Sequence, residues 1–323
     1  MKYLVIGATG FLGSYLVSAL RKRDDPVVAI GRDRVKCDSL RQLGVPTLEA
    51  DLRDAPAIAR ACAGVDIVFH MAALSAPWGL YRDFYAANVI GTRNVVQACR
   101  QGGVRKLIYV SSPSVIFNNR HQVAADETAP YPKRFLSPYS LTKKLAEDVV
   151  NEARHELSTV ILRPKAIFGP GDNALLPRLI AAARNHRLRQ IGDGSNLLDL
   201  TYVANVVHAL LLAADCGAAE GKTYHITNAE HVPLWSLLRR ILITLGYSAD
   251  LRATPFAVAY GMASLLELQA WLTGVEPPMT RYAVAILGRT QTYDIRAARR
   301  DLGYEPMVSV EEGIEVTLAH LRK

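Results

Sequence analysis

The chain has 323 residues, half of them hydrophobic, and carries a formal net charge of +8. This apolar content is enough for one large core with a smaller unit attached. The Lys and Arg residues are scattered and form no basic stripe with interleaved aromatic residues, which argues against a nucleic-acid binder and suits an enzyme that handles anionic ligands. The four cysteines show no Cys-x-x-Cys spacing, so we expect buried free thiols and no metal site. No signal peptide precedes the first predicted strand, which favours a cytoplasmic protein.

The first predicted strand, residues 3–6, runs directly into a glycine-rich turn and a helix. Gly7 lets the chain turn off the strand, Gly10 lets backbone amides approach a pyrophosphate, and Gly13 lets the helix lie close to the sheet. The helix N-terminus offers free N–H groups and a positive dipole end to phosphate. An ordinary tight turn is the alternative, but the strand before and the helix after favour a dinucleotide site. The residues predicted to bind the cofactor here are Gly7, Thr9, Gly10, Phe11, Leu12 and Gly13.

The second predicted strand, residues 26–31, is followed by the residues that decide between NAD(H) and NADP(H). Enzymes that prefer NAD(H) usually place a carboxylate at the end of this strand, where it binds the ribose 2′-hydroxyl. Gly31 holds that place here, and Arg32 follows it. A guanidinium binds a phosphate through two charge-assisted hydrogen bonds. We therefore predict NADP(H), with NAD(H) as the alternative if Arg32 points to solvent and Asp33 binds the hydroxyl.

The next cofactor-binding candidates follow the third and fourth predicted strands, residues 47–50 and 66–71. The small side chains after the fourth strand leave room for the ribose and the diphosphate. These candidates are Asp51, Leu52, Ala72 and Ala73.

A run of serines and a Tyr–Lys pair carry the predicted chemistry. The fifth predicted strand, residues 107–110, leads into Ser112 and Ser114. After an irregular stretch, a helix begins at Tyr139, and Lys143 lies four residues further, so both project from one helical face. A phenol with a pKa near 10 is a poor acid–base group at neutral pH until a neighbouring ammonium and the cationic nicotinamide favour its phenolate.

With these motifs the chain resembles the extended short-chain dehydrogenase/reductases over nearly its whole length. The resemblance implies an α/β fold: a Rossmann-type doubly wound parallel sheet with a smaller, mostly helical C-terminal substrate domain. It implies a cofactor domain over residues 1–165 and a substrate region over residues 166–323, with returns to the first domain near residues 200–226. A homodimer formed through the predicted helix 82–100 and the helix that begins at Tyr139 is the expected assembly.

The resemblance also implies the catalytic roles. Tyr139 would exchange a proton with the carbonyl or hydroxyl oxygen, and Lys143 would lower the Tyr139 pKa and hold the nicotinamide ribose. Ser112 would bind the same oxygen, with Ser114 as the runner-up. Asn88, which by itself reads as a buried amide with its hydrogen bonds satisfied, would steady Lys143 through water.

The remaining cofactor contacts are implied in the same way. Asp51 and Leu52 would lie beside the adenine. Pro164 and Ile167 flank the connection after the sixth strand, which would cover the nicotinamide.

The substrate side departs from the nucleotide-sugar enzymes of this family. Those enzymes commonly place an arginine just before the aspartate that Asp199 matches, where it binds the sugar diphosphate, whereas this chain has Leu198. An anion could instead bind the arginines downstream of the sixth strand, although a solvated helix face explains them as well. These arginines are Arg178, Arg184, Arg187 and Arg189.

Residues 254–273 form an almost continuously apolar predicted helix that is too short and too interrupted for a membrane span. It could be a packed domain helix, a lid over an apolar pocket, or a peripheral membrane contact. Together with residues 277–280 it resembles the 3β-hydroxysteroid dehydrogenase branch. Residues 111–117 with Trp78 and Gly79 look closer still to the bacterial 2-alkyl-3-oxoalkanoate reductases.

The resulting hypothesis is an NADP(H)-dependent oxidoreductase that transfers hydride between nicotinamide and a ketone or secondary alcohol on a hydrophobic substrate, either a 3-oxo acid or a sterol-like molecule. The first alternative is a nucleotide-sugar epimerase or dehydratase, in which the cofactor is regenerated within each cycle. The second is a non-catalytic NADP(H) redox sensor, which normally lacks the Tyr–Lys pair.

Overall fold

The computed structural model describes residues 1–172, 176–185 and 188–322. Leu175, predicted to begin a helix, and Arg187, a candidate anion ligand, lie outside the described residues, as does the side chain of Arg178.

The described chain alternates strands and helices over its first half. The strands are β1 (Tyr3–Ile6), β2 (Val27–Gly31), β3 (Thr47–Glu49), β4 (Ile67–His70), β5 (Lys106–Val110), β6 (Gln122–Ala125), β7 (Ser158–Pro164), β8 (Ile167–Phe168), β9 (Gln190–Ile191), β10 (Leu197–Asp199), β11 (Thr201–Tyr202), β12 (Lys222–Ile226), β13 (His231–Pro233), β14 (Ala253–Thr254) and β15 (Gln291–Tyr293). The helices are α1 (Phe11–Lys22), α2 (Arg34–Gln42), α3 (Ala55–Cys62), α4 (Tyr81–Phe84), α5 (Gly91–Gln101), α6 (Pro138–Ala153), α7 (Leu176–Arg184), α8 (Val203–Asp215), α9 (Leu234–Thr244), α10 (Phe256–Thr273), α11 (Arg281–Gly288), α12 (Arg296–Leu302) and α13 (Val310–Leu321).

A seven-stranded parallel sheet in the order β12-β7-β5-β4-β1-β2-β3 forms the centre of the molecule. The chain runs outward from β1 in one direction through β2 and β3, and in the other direction from β4. This reversal places a crevice at the carboxyl ends of β1 and β4, where open α/β sheets bind their ligands. The predicted Rossmann-type doubly wound sheet is confirmed.

Alternate residues of each strand feed two separate cores, because successive side chains point to opposite faces of a sheet. Tyr3 and Val5 of β1 join the core that contains Leu16 of α1. Leu4 and Ile6 join the core on the other face, which contains residues of α3, α5 and α6. Burial on both faces explains why these strands read as unbroken apolar runs.

A smaller four-stranded sheet in the order β13-β10-β15-β6 lies outside the main sheet. Its strands come from widely separated parts of the chain, and β6 lies within the stretch predicted to be irregular. The strand β12, by contrast, joins the main sheet beside β7. The described chain therefore returns to the main sheet after leaving it.

The helix α10 is unusual because most of its exposed side chains are apolar, with Gln269 and Thr273 as the polar exceptions. Leu265 is 69% exposed, Trp271 57% and Leu272 81%, whereas the acidic Glu267 is buried. Glu267 accepts hydrogen bonds from the backbone N–H and the Nε of Arg281, at 2.7 and 2.6 Å. Among the described residues no helix is long and apolar enough to cross a membrane.

All four cysteines are free thiols. Cys37, Cys62 and Cys99 are buried as predicted, whereas Cys216 is only half-buried.

Candidate active site

The glycine turn between β1 and α1 is closely packed at each predicted glycine. A Cβ on Gly13 would lie 2.1 Å from the carbonyl oxygen of Gly7, and a Cβ on Gly7 would lie 2.8 Å from the backbone nitrogen of Ala72. Gly7 also has a φ of +96°, which side chains disfavour. The helix α1 begins after Gly10 without a side-chain cap, so its first N–H groups are available to an anion.

A cleft of about 260 Å³ opens beside this turn, at the carboxyl ends of β1, β2 and β4. Eight of the predicted cofactor-binding residues line it: Gly7, Thr9, Gly10, Arg32, Asp51, Leu52, Ala72 and Ala73. The close-packed glycines, the uncapped helix and the cleft together fit a dinucleotide.

The end of β2 shows why no acidic residue stands at position 31. A Cβ on Gly31 would lie 2.2 Å from the side chain of Thr9. The next carboxylate, Asp33, accepts a hydrogen bond from the backbone N–H of Lys36 and so caps α2. Arg32 and Lys36 bring two cations to this end of the cleft, since Lys36 Nζ lies 3.4 Å from the carbonyl oxygen of Thr9.

Asp51 is held by two arginines. Arg53 binds both of its oxygens, at 2.7 and 3.1 Å, and Arg32 approaches one of them at 3.5 Å. The hydrogen bonds from Arg53 lower the Asp51 pKa to about 2. Asp51 is therefore anionic at neutral pH and fixes the loop after β3.

Four other predicted cofactor contacts, Phe11, Leu12, Pro164 and Ile167, do not line this cleft. Phe11 and Leu12 begin α1, and Phe11 approaches the connection after β7, where a Cβ on Gly169 would lie 3.4 Å from its ring. The Tyr15 hydroxyl donates to the carbonyl oxygen of Pro170. Pro164 ends β7 and Ile167 begins β8 within this connection. Residues 165–171 thus lie against the start of α1.

Ser112 and Tyr139 meet where β5 ends and α6 begins. Ser112 caps a short 3₁₀ turn, Pro113–Ile116, and Ser137 caps α6. Local capping therefore fixes the position of Ser112 and of the first turn of α6, which carries Tyr139. Burial raises the pKa of Tyr139, while interactions with the side chains of Ser75 and Ser112 lower it. The structure thus places Ser112 beside the Tyr139 hydroxyl. Ser75, in the loop after β4, is the other side chain that interacts with the Tyr139 hydroxyl, and it is not among the residues predicted from the sequence.

Lys143 lies one turn along α6 from Tyr139 and is almost completely buried. Its Nζ donates to the carbonyl oxygen of Val110 at 2.7 Å and lies 4.0 Å from the centre of the Tyr109 ring. Desolvation lowers the Lys143 pKa to about 7, against the opposing charge of Glu147.

Among the described residues, burial is the main cause that raises the Tyr139 pKa, and interactions with Ser75 and Ser112 oppose it. The lowering of the Tyr139 pKa by Lys143 beside a bound nicotinamide stays a prediction.

Asn88 lies in a π-helical turn, Tyr85–Ile90, that interrupts the predicted helix 82–100. Its amide oxygen accepts from the backbone N–H of Leu74, and its Nδ2 donates to Leu74 and to the Thr142 hydroxyl. Asn88 therefore ties the loop that carries Ser75 to the helix that carries Tyr139. Such π-turns are frequent at functional sites.

A buried ion pair joins α6 to β7. Glu147, one turn beyond Lys143, binds Arg163 of β7 through two hydrogen bonds of 2.8 and 2.7 Å, and Tyr131 bridges the pair. His70 lies nearby at the end of β4, where burial lowers its pKa to about 3 and Thr92 is its partner at 2.9 Å. His70 is neutral and structural.

A second tyrosine reaches the site from α11. Tyr282 lies close enough to Tyr139 for an ionised Tyr139 to raise its pKa, and the side chains of Ser140 and Ser114 interact with its hydroxyl. Burial is the main cause that raises the Tyr282 pKa, to about 12. No spacing rule joins residues 139 and 282, so the sequence offered no signal for this contact.

The substrate side lacks the cation expected of a sugar-diphosphate site at position 198. Leu198 is buried in the core, and Asp199 accepts hydrogen bonds from His231 Nδ1 and the backbone N–H of Tyr293. The structure does not bring the described arginines Arg184 and Arg189 to the Tyr139 site; they line a separate surface cavity with Tyr247.

Comparison with known proteins places this site in a family. The model of the 3-beta hydroxysteroid dehydrogenase/isomerase family matches residues 4–257. The chain is 42% identical to 2-alkyl-3-oxoalkanoate reductase of Stenotrophomonas maltophilia, over 97% of both chains. It is 37% identical to mouse sterol-4-alpha-carboxylate 3-dehydrogenase, decarboxylating, over 100% of this chain and 92% of the relative.

Solved structures show the same fold. The crystal structure of gox2253 is 28% identical, with a TM-score of 0.82 over 99% of this chain and 98% of the other. MoeE5, solved with UDP-glucuronic acid and NAD, is 27% identical, with a TM-score of 0.73 over 100% and 99%. The chain therefore belongs to the 3-beta hydroxysteroid dehydrogenase/isomerase family and is an extended short-chain dehydrogenase/reductase, an oxidoreductase that acts on CH–OH and C=O groups with a nicotinamide cofactor.

Proposed function

We propose that this protein is an NADP(H)-dependent oxidoreductase that interconverts a hydrophobic 3-oxo acid and the corresponding 3-hydroxy acid. The observation that supports the proposal is the interaction of the Ser112 side chain with the Tyr139 hydroxyl, with Lys143 one helical turn further along α6. The nicotinamide, when bound, supplies or accepts the hydride.

The chain's own residues handle the proton. In the reductive direction the hydride adds to the carbonyl carbon, the C=O electron pair moves to oxygen, and the Tyr139 hydroxyl donates its proton to that oxygen. The Ser112 hydroxyl donates a hydrogen bond to the same oxygen. Lys143, protonated as the pH falls toward 7, stabilises the phenolate left on Tyr139 until solvent returns the proton.

The choice of a 3-oxo acid rests on the relatives. The two relatives described above are named for a 2-alkyl-3-oxoalkanoate and for the 3-position of a sterol-4-alpha-carboxylate. In both compounds a carboxylate is attached to the carbon next to the one that is reduced or oxidised. Both are also largely hydrocarbon, which agrees with the apolar surface of α10.

The choice of NADP(H) rests on charge. Arg32 and Lys36 stand at the end of the cleft where the ribose 2′-position would lie, Gly31 cannot be replaced by an acid without a clash with Thr9, and Asp33 is occupied as a helix cap. NAD(H) bound through Asp33 is the alternative.

An NADPH-oxidation screen tests the proposed function. Purified protein is mixed with NADPH and, in separate reactions, a 2-alkyl-3-oxoalkanoic acid, a sterol ketone and a nucleotide sugar. We expect the 3-oxo acid to consume NADPH stoichiometrically. Conversion of the nucleotide sugar without net NADPH loss would instead support an epimerase. NADPH binding without turnover of any substrate would support the redox sensor.

We further propose a homodimeric cytoplasmic protein that contacts membranes peripherally. A homodimer through α5 and α6 is testable by light scattering of the purified protein, in which a mass of one chain, 35.4 kDa, would contradict it.

Peripheral contact of a cytoplasmic protein with a membrane through α10 is supported by its exposed apolar face. Co-sedimentation with phospholipid vesicles tests this contact, and a protein that stays entirely in the supernatant would contradict it.

A further inference from the structure

Two tyrosine–serine groups lie side by side in the active site. In the first, Tyr139 interacts with Ser112. In the second, Tyr282 interacts with Ser114 and Ser140. Ser114 follows Ser112 by two residues and Ser140 follows Tyr139 directly, so the two serines of the second group lie on the same two segments as the first group, while Tyr282 comes from α11. The proposed reaction uses only the first group.

Tyr282 is held firmly in this position. Thr280 caps α11 by accepting from the backbone N–H of Ala283, and Glu267 holds Arg281, the residue just before Tyr282. Further along α11, the indole of Trp235 donates to the carbonyl oxygen of Leu287. The Tyr282 ring is thus presented by a helix fixed at both ends.

The second group has unused hydrogen-bonding capacity. The Ser114 hydroxyl is buried, yet it has no hydrogen-bond partner of ordinary geometry among the described residues. Buried hydroxyls are normally satisfied, and an exception next to an active site indicates a place for a ligand atom. The Tyr282 hydroxyl, which burial keeps protonated, adds a donor at the same place.

We propose that Tyr282 and Ser114 bind the carboxylate of the substrate and thereby make the enzyme select 3-oxo and 3-hydroxy acids over simple ketones and alcohols. This inference rests on the proposed function. The first tyrosine–serine group takes the oxygen on the reacting carbon, and the second takes the carboxylate on the neighbouring carbon. The compounds for which the two relatives are named share a carboxylate on the carbon next to the reacting carbon. Two adjacent oxygen-binding groups would recognise this feature.

The test compares two stable alcohols in the oxidative direction with NADP⁺: a 2-alkyl-3-hydroxyalkanoic acid and the secondary alcohol with the same skeleton but no carboxyl group. Wild type, Tyr282→Phe, Ser114→Ala and the control Tyr260→Phe are assayed on both. Tyr260 lies on α10, where its ring stacks on Phe256. A hydrogen bond to a charged group is worth enough that its loss should raise KM for the acid roughly ten- to a hundredfold.

We expect Tyr282→Phe and Ser114→Ala to raise KM for the acid by this factor and to lower kcat/KM for the acid at least about tenfold more than kcat/KM for the plain alcohol. Tyr260→Phe should match wild type on both substrates. If Tyr282→Phe is poorly folded, the same selective effect of Ser114→Ala carries the conclusion. An equal loss on acid and alcohol, or no loss on either, would overturn the inference while leaving the proposed function intact. A wild-type enzyme that oxidises neither alcohol would overturn both.

Discussion

The helices α1 and α10 differ in where their large apolar side chains lie. In α1, Leu12, Leu16 and Leu20 are buried and the charged Arg21 and Lys22 mark its exposed end. In α10, small alanines and one glutamate are buried, while large apolar side chains face outward. A helix that buries its only charged residue and exposes several large apolar side chains is not shaped by its own domain core alone. The first half of the molecule is therefore built around its cofactor cleft, and α10 is suited to an apolar ligand or surface.

The same contrast holds within the active site. Tyr139 and Lys143 are positioned by one turn of a single helix, whereas Tyr282 comes from a helix more than a hundred residues away in the chain. The proposed proton transfer thus depends on local geometry, and the proposed substrate selection depends on long-range packing.

The largest expected effect comes from adding a methyl group to a glycine in each region. Gly13→Ala puts a Cβ 2.1 Å from the carbonyl oxygen of Gly7, so α1 must move and we expect NADPH binding, followed by fluorescence titration, to be lost. Gly261→Ala in α10 meets nothing within 4 Å and should keep wild-type NADPH affinity, with stability unchanged or raised by up to about 1 kcal/mol. Normal NADPH affinity in Gly13→Ala would contradict this account of the turn.

A leucine truncation in each helix sharpens the comparison. Leu16→Ala in α1 removes a fully buried side chain and should lower the free energy of unfolding by about 2–5 kcal/mol. Leu272→Ala in α10 removes a side chain that is 81% exposed and should change it by less than about 0.5 kcal/mol. Urea titrations of both variants measure the two values. A cost of several kcal/mol at Leu272 would mean that another surface covers α10 in solution.

Arg32 tests the cofactor preference. Removing its charge-assisted contact in Arg32→Ala should raise KM for NADPH roughly ten- to a hundredfold and leave KM for NADH within about twofold. The matched control is Arg34→Ala, which removes an exposed arginine at the first residue of α2, two positions after Arg32. This variant should change neither KM value. An unchanged NADPH preference in Arg32→Ala would favour NAD(H) bound through Asp33.

Lys143 contributes a pH dependence of stability. Burial lowers its pKa to about 7 in the folded protein from the ordinary 10.5, so between these values the unfolded chain binds the proton more tightly. Wild-type stability should therefore rise with pH in this window, by up to about 1.4 kcal/mol per pH unit from this group, and Lys143→Met should lose that slope. Below pH 7 both states are protonated and the slopes should converge. Parallel curves throughout the window would show that Lys143 is not desolvated as described.

Much of the fold could be predicted because its signals are local. Buried parallel strands are continuous apolar runs, and capping residues such as Ser137 mark where helices begin. The four-residue spacing of Tyr139 and Lys143 by itself predicts that both lie on one helical face.

The remaining features depend on contacts between distant segments. The β6 strand pairs with β15 across more than 160 residues, so its short sequence looked irregular. The sequence favours Ser112 over Ser114, but it does not predict that Ser112 interacts with Tyr139 while Ser114 interacts with Tyr282. The outward face of α10 was unpredictable because a helix that is apolar on every side carries no directional pattern.

In the proposed reaction Tyr139 transfers the proton at an oxygen that Ser112 also binds. The most direct test of this claim is the reduction of a 2-alkyl-3-oxoalkanoic acid by NADPH with wild type and Tyr139→Phe, each first shown to bind NADPH by fluorescence titration. We expect NADPH affinity within about twofold of wild type and a kcat lowered roughly 10²- to 10⁴-fold, the range for loss of a general acid. A Tyr139→Phe enzyme that binds NADPH normally and keeps more than about a tenth of the wild-type kcat would contradict the claim.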